Sequence, residues 1–352
     1  MTAKSRRQSW MTYLPTLLVD CESVRPSIRA ATLAYYASCT NDPAIEKEAV
    51  RWYVAALARQ RQCLSRRYAA IADHGASDSI PTDQEICTSM MLLYFELIQP
   101  TATASWIKHF SGACQLMVLR RPVNCRRGVS RLFLQSLRVL NVRHSIKFHA
   151  LSPLASAEWL QSHEQVDTVG DSDEVLDILL ALPAYLSGRQ REMREACNSS
   201  SSVPRIVAEK ARIIDLLHWL SKCESRYSSE HGREHELMIN RDQCDLGSGD
   251  FCYFDVGAML DSAMIIIAYL ILSQRSIWSQ DERNSIQEEQ HRRSTTIVLN
   301  AHRTLKLNPD GLNPGTCLQF VFPLEVVSTY SSDELQREAA QNILDGIGWA
   351  RL

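Results

Sequence analysis

The chain has 352 residues, 45% hydrophobic and 22% charged, with a formal net charge of -2. That is ample for a sizeable core, and a near-neutral balance removes any global electrostatic drive toward nucleic acid. With only 13 glycines and 12 prolines, punctuation is sparse, which predicts long helices with short connections.

Residues 1–9 read as a flexible, solvated tail without the apolar stretch of a secretory signal; Lys4, Arg6 and Arg7 are a weak nuclear-import signal at most. Residues 24–40 predict a first helix, ending at the Asn41-Asp42-Pro43 turn. A second starts near Ala44, with Ile45, Ala49, Trp52, Tyr53, Ala56, Cys63 and Leu64 on one face. Residues 71–81 read as a polar loop. Thr82 and Glu85 then form a capping box, each side chain satisfying an orphan donor of the first turn. The helix they open carries Ile86, Met90, Tyr94 and Leu97 and ends at Pro100.

The next helix places Trp106, Phe110, Ala113 and Met117 on one side and stops before Pro122, whose ring disfavours helix at the preceding residue. Further helices are predicted through Leu132, Phe133 and Leu137, over Glu174–Leu186, and through Ile206, Ile213, Leu217 and Leu220. The polar stretches 187–202 and 224–250 read as internal linkers. Residues from Phe251 to Leu272 are strongly apolar. A membrane span needs about 20 such residues, and Asp255 and Asp261 interrupt this run at a cost no span bears easily. It therefore reads as a buried core helix. A polar amphipathic helix follows over 286–306. A last one opens at a second capping box, Ser331 with Glu334, and sets Leu335, Ala339, Ile343 and Ile347 on one face. No strand alternation, heptad or repeat is evident. The fold class is all-α, a large multi-helix domain over 10–352 with about eleven or twelve packed helices.

The 11 cysteines include no C-x-x-C; the closest pair, Cys244 and Cys252, has seven residues between. Zinc ribbons and clusters need close pairs, because one turn of chain must offer two thiolates to one metal. The cysteines are expected to be buried, reduced thiols. No G-x-S-x-G, G-x-G-x-x-G or G-x-x-x-x-G-K occurs. His231-Gly232-Arg233-Glu234-His235 fits the H-x-x-E-H of inverted zinc peptidases, but it falls in a polar, glycine-containing stretch and reads as coincidence. His109, beside Trp106 and Phe110, is expected to be a structural histidine bonded to a neighbour, with a sensing or catalytic role as the alternative. Glu96 is expected to form a structural ion pair with Arg120 or Arg121, with a general-base role as the alternative. His144 and His149 read as surface residues beside Arg143 and Lys147. Arg59, Arg61, Arg66, Arg67, Arg120, Arg121, Arg126 and Arg127 read as solvated faces. No catalytic, cofactor-binding, metal or DNA-binding residue is assigned, and no cofactor is expected.

One spaced run carries a resemblance: Leu92-Leu93-Tyr94-Phe95-Glu96, Trp106-x-x-His109-x-x-Gly112-Ala113 and Arg120-Arg121-Pro122. With it go Trp52-Tyr53 before Ala56-Leu57, Phe133 with Arg138, Ser152-Pro153 before Glu158-Trp159-Leu160, and Leu176-Asp177-Ile178-Leu179 with Leu182-Pro183. Phe322-Pro323-Leu324 and Gly346-Ile347-Gly348 complete the order. The chain resembles the helical regulatory domain of fungal binuclear zinc cluster transcription factors. The resemblance implies a nuclear regulator, often of a metabolic or specialised-metabolite gene set. Full members also carry a six-cysteine array that places a helix in the major groove, and this sequence has no positions for those ligands. Sequence-specific DNA binding by this chain alone is accordingly not expected. Protein partners are expected instead: a DNA-bound regulator, or a homo- or heterodimer mate, with a small-molecule inducer compatible and no membrane association. The alternatives are a non-enzymatic interaction scaffold and a helical enzyme built on this domain.

Overall fold

The computed structural model describes residues 10–74, 80–160, 171–195, 203–239, 256–274, 277–306 and 314–347. Among them the protein is all-α: thirteen α-helices and short 3₁₀ turns, with no strand. The chain divides into two compact units. One holds residues up to Arg138 with 156–166, and the other holds 139–155 with 167–351.

In the first unit, the 3₁₀ turn Trp10–Tyr13 and α1 (Leu14–Asp20) precede α2 (Arg25–Thr40) and α3 (Pro43–His74). Helices α2 and α3 form a hairpin. Its turn is possible because Asn41 takes the left-handed region, at φ 52°, which asparagine tolerates. Asp42 then caps α3, its Oδ1 accepting from the Ala44 amide at 2.8 Å. Helix α4 (Asp83–Ile98) is the unit's centre and packs against α2, α3 and α5 (Ser105–Arg120). The expected capping box is present, with Glu85 N–H donating to Thr82 Oγ1 and Thr82 N–H to Glu85 Oε2. Burial reaches well beyond the anticipated face: Ile86 through Leu93 are all buried, as are Phe95 and Glu96. Trp10 is enclosed between Tyr94 and Phe133, with ring centroids 5.8 and 5.3 Å away. Phe133 lies on α6 (Gly128–Phe148), whose first half belongs to this unit, as does the single turn α7 (Ala157–Leu160).

The second unit comprises the rest of α6 with α8 (Asp171–Glu195), α9 (Val203–Ile239), α10 (Val256–Leu272), α11 (Gln280–Lys306), α12 (Pro314–Tyr330) and α13 (Glu334–Gly346). The apolar run is α10, a core helix that touches α8, α9, α11 and α12. Twelve of its side chains are buried, and a large apolar side chain so placed contributes about 1.5–3 kcal/mol. No described helix is long and apolar enough to cross a membrane. Gln290 of α11, fully buried, ties the unit together. Its amide donates to the Ile265 and Tyr330 carbonyls at 3.1 and 3.0 Å and accepts from the Ser332 amide at 3.1 Å.

Several expectations are corrected. The polar stretches are helical over much of their length: α3 continues to His74, α8 to Glu195 and α9 to Ile239. Residues 196–202 and 240–250 of the expected linkers lie outside the described residues. Helix α13 is capped by Asp333, whose Oδ1 accepts from the Leu335 amide at 2.9 Å, and not by Ser331. Its buried residues are Gln336, Ala340 and Leu344; of the expected stripe, Ile343 and Ile347 pack partly buried against the core, while Leu335 is 75% exposed. Of the described cysteines, Cys87, Cys114, Cys125 and Cys223 are buried free thiols, but Cys39 is exposed.

Candidate functional site

The residues singled out in α3, α4 and α5 meet inside the first unit. Helix α4 carries Glu96 to its last turn, fully buried. There its Oε1 accepts from Tyr53 Oη at 2.5 Å and Thr101 Oγ1 at 2.7 Å. Oε2 accepts from the Thr101 amide at 2.8 Å and from Ser105 Oγ. Four donors occupy the carboxylate, and they come from the turn that leads into α5, from α5's first residue and from α3. Burial raises the Glu96 carboxyl, but the bonds from Ser105, Thr101 and Tyr53 outweigh it and hold it below the usual carboxylate range.

Tyr53 Oη also lies 2.9 Å from His109 Nε2. Tyrosine has one hydroxyl proton, and Glu96 takes it, so His109 donates from Nε2 and is the Nε2–H tautomer. Burial pushes the imidazole down, Glu96 partly opposes this, and Lys108 adds to it. His109 is therefore neutral near pH 7. Tyr53 is pushed up by burial and then by the adjacent carboxylate. Its ring stacks on Phe95 at 4.2 Å between centroids. The chain carboxylate–phenol–imidazole has the components of a proton relay, but a carboxylate with four donors already in place has no lone pair left for a substrate. Chemically the arrangement is a pin that fixes the ends of α4 and α5 against α3.

The expected Glu96 pairing with Arg120 or Arg121 is absent. Arg120 instead binds Asp83 at 2.9 Å and the Pro81 carbonyl at 2.9 Å. Arg67, expected on a solvated face, forms a largely buried ion pair with the capping carboxylate of Glu85. Arg143, in the basic stretch beside His144 and His149, is bound by Glu325 of α12, which receives its Nε and Nη2 at 2.8 and 2.9 Å. His144 and His149 are both partly buried, and burial lowers each. The segment 231–235 is helical, within α9, rather than a loop; the side chains of His231, Glu234 and His235 lie outside the described residues. Among the described residues, no group of three His, Cys, Asp or Glu side chains is placed to hold a metal ion.

The second unit holds a charged cluster that the sequence reading does not anticipate. Arg293 of α11 is 8% exposed. It donates from Nε to Glu289 at 2.6 Å, from Nη1 to Asp261 at 3.0 Å, and from Nη1 to Glu224. Arg292 grips the same Glu289 through Nε and Nη2, at 2.8 and 2.6 Å. The Arg292 bond above all, then Arg293 against a partial burial penalty, hold the Glu289 carboxyl at about 2. The spacing of Glu289 from Arg292 and Arg293, three and four residues, is the one legible signal for this cluster. Glu224 and Asp261 come from α9 and α10 and carry none. Beside the cluster opens a cleft of about 370 Å³, with Leu260, Ile297 and Phe320 on its apolar side and Arg292, Arg293 and Asn300 on its polar side.

No protein-family model matches the chain, and neither a characterised protein nor a solved structure proved similar to it. The class that the fold defines is an all-α, multi-helix protein.

Proposed function

We propose that this chain is a transcriptional regulator whose helical domain works through packing and partner contacts in the nucleus. Its expected targets are metabolic or specialised-metabolite genes, reached through a DNA-bound partner. The resemblance of its ordered motifs to the helical regulatory domain of fungal zinc cluster factors is the basis of the reading. The observation that carries it is where those motifs fall. Tyr53, Phe95, Glu96 and His109, from three separated segments, converge on one saturated, buried network. A signature that consists of fold-holding residues suits a regulatory domain, whose output is a surface and a conformational equilibrium. An active-site signature would leave acceptors or nucleophiles open to substrate.

The test is to fuse the full chain to a heterologous DNA-binding domain, read a reporter bearing its sites, and image the tagged chain. The expected result is a nuclear chain that raises or lowers reporter output severalfold. A chain that stays out of the nucleus and leaves the reporter unchanged would overturn the reading in favour of an interaction scaffold.

A further inference from the structure

We propose that the cleft walled by α9, α10, α11 and α12 is a binding site for an uncharged, amphipathic small molecule that presents a hydrogen-bond-accepting oxygen. Its volume of about 370 Å³ falls in the range of small-molecule sites, roughly 300–1,000 Å³. The walls follow from helical periodicity. On α11, Arg292, Thr296 and Asn300 recur every four residues and form a polar edge, while Arg293 and Ile297 form the adjacent row. Leu260, Ile297 and Phe320, all buried, supply the apolar surface on which a hydrocarbon or ring system would rest.

The charges select the ligand. Two carboxylates, Glu224 and Asp261, and two guanidinium groups, Arg292 and Arg293, line the cleft, and Glu289 beside it binds both guanidinium groups, so no unpaired positive charge faces a ligand. An anion would sit beside the carboxylates, and a cation would face the guanidinium groups, each inside a partly desolvated site where such contacts are costly. What the cleft retains is donor capacity. Arg292 spends Nε and Nη2 on Glu289, and Arg293 spends Nε and Nη1 on its three carboxylates. Neither Arg292 Nη1 nor Arg293 Nη2 has a hydrogen-bond acceptor among the described residues; the Arg292 side chain is 61% exposed and meets water at the rim, whereas the Arg293 side chain, 9% exposed, holds the donor that a ligand would meet. A guanidinium carries five N–H donors, so a carbonyl, ether or hydroxyl oxygen meets an unspent one without adding charge. An apolar body with one or two such oxygens satisfies both sides of the cleft.

The test uses the purified full chain and three probes on one ring system: methyl naphthyl ketone, naphthoate and naphthylmethylammonium. Each is titrated by calorimetry, with saturation-transfer NMR as a check on weak binding. Two variants fill the cleft from opposite walls, Ala258→Phe and Thr296→Tyr, and circular dichroism confirms that each retains its helical content. The ketone is expected to bind at one site at least roughly tenfold more tightly than either charged probe, a difference of about 1.4 kcal/mol. Each folded filling variant is expected to weaken it by a similar factor. Equal or tighter binding of a charged probe, ketone binding that survives a folded filling variant, or no binding of any probe up to its solubility limit would each overturn the proposal. The proposal does not rest on the transcriptional reading: ketone binding with a silent reporter would sink that reading alone.

Discussion

Glu96→Gln tests the pin between α3, α4 and α5 without changing its shape. The amide nitrogen must replace one carboxylate oxygen. At the Oε2 position it would oppose the Thr101 amide, which donates at 2.8 Å and cannot turn. It is therefore expected at the Oε1 position, against the hydroxyls of Tyr53 and Thr101, which can rotate. Tyr53 then receives protons from both the introduced amide and His109, and its own proton loses its acceptor. All four charge-assisted bonds become neutral ones, at about 1 kcal/mol each, and an orphaned buried donor adds about 1–3 kcal/mol. Relief from burying a charge returns part of this, leaving a net loss of about 2 kcal/mol, or roughly 30-fold in the local opening equilibrium. Hydrogen exchange over residues 94–110 reads that opening directly. The same assay against pH supplies a second arm. The folded carboxyl lies below its ordinary value, so its contribution is complete above about pH 4.3, the unfolded value, and is lost as pH falls through the folded one. Glu96→Gln is expected to flatten that acid loss. Exchange within twofold of the parent, with an unchanged acid profile, would refute the pin.

Arg293→Met removes the buried guanidinium shared by Glu224 and Asp261 and leaves Glu289 to Arg292 alone. A loss of about 3–5 kcal/mol in urea unfolding is expected, and a change under about 1 kcal/mol would contradict the described burial. Leu335→Ala is expected to cost less than about 0.5 kcal/mol and Leu344→Ala about 2–5 kcal/mol; the reverse order would restore the face that the sequence suggests for α13. Ala104, at φ 60°, holds a left-handed conformation before α5. Ala104→Gly is expected to stabilise by up to about 1 kcal/mol in the same measurement, because glycine adopts that region without the Cβ penalty, and a destabilised variant would count against the local geometry.

What is legible in the sequence is local. Thr82 and Glu85 are three residues apart, and their capping box needs nothing else from the fold. The Asn41-Asp42-Pro43 turn, the stop before Pro122 and the apolar run of α10 are similar cases. What fails depends on distant partners. Glu96 reads as an arginine's partner because the sequence offers arginines nearby, but its partner Tyr53 lies 43 residues upstream. No local pattern marks the partner of Arg143, because Glu325 is 182 residues away. The 224–239 stretch reads as loop because it is polar, yet Glu224 and Arg226 are held across helices by Arg293 and Glu174. At α13, Ser331 and Asp333 are both able to cap. The structure uses Ser331 Oγ to donate to Gln336 at 2.8 Å and leaves the cap to Asp333, which moves the start by two residues and turns Leu335 out of the core, while Ile343 and Ile347 still pack against it. Helix α12 escapes the sequence reading because it is apolar on most sides and contains Pro323, so no single stripe marks it. The cleft's chemistry is unreadable for a related reason, since its four walls come from four helices.

The most direct test of the transcriptional reading is chromatin immunoprecipitation of the tagged protein, expressed from its own locus. Enrichment at a discrete set of promoters is the expected result, since a regulator that works through a DNA-bound partner must be held where that partner sits. A uniform background across the genome, from a chain present at normal abundance, would contradict it.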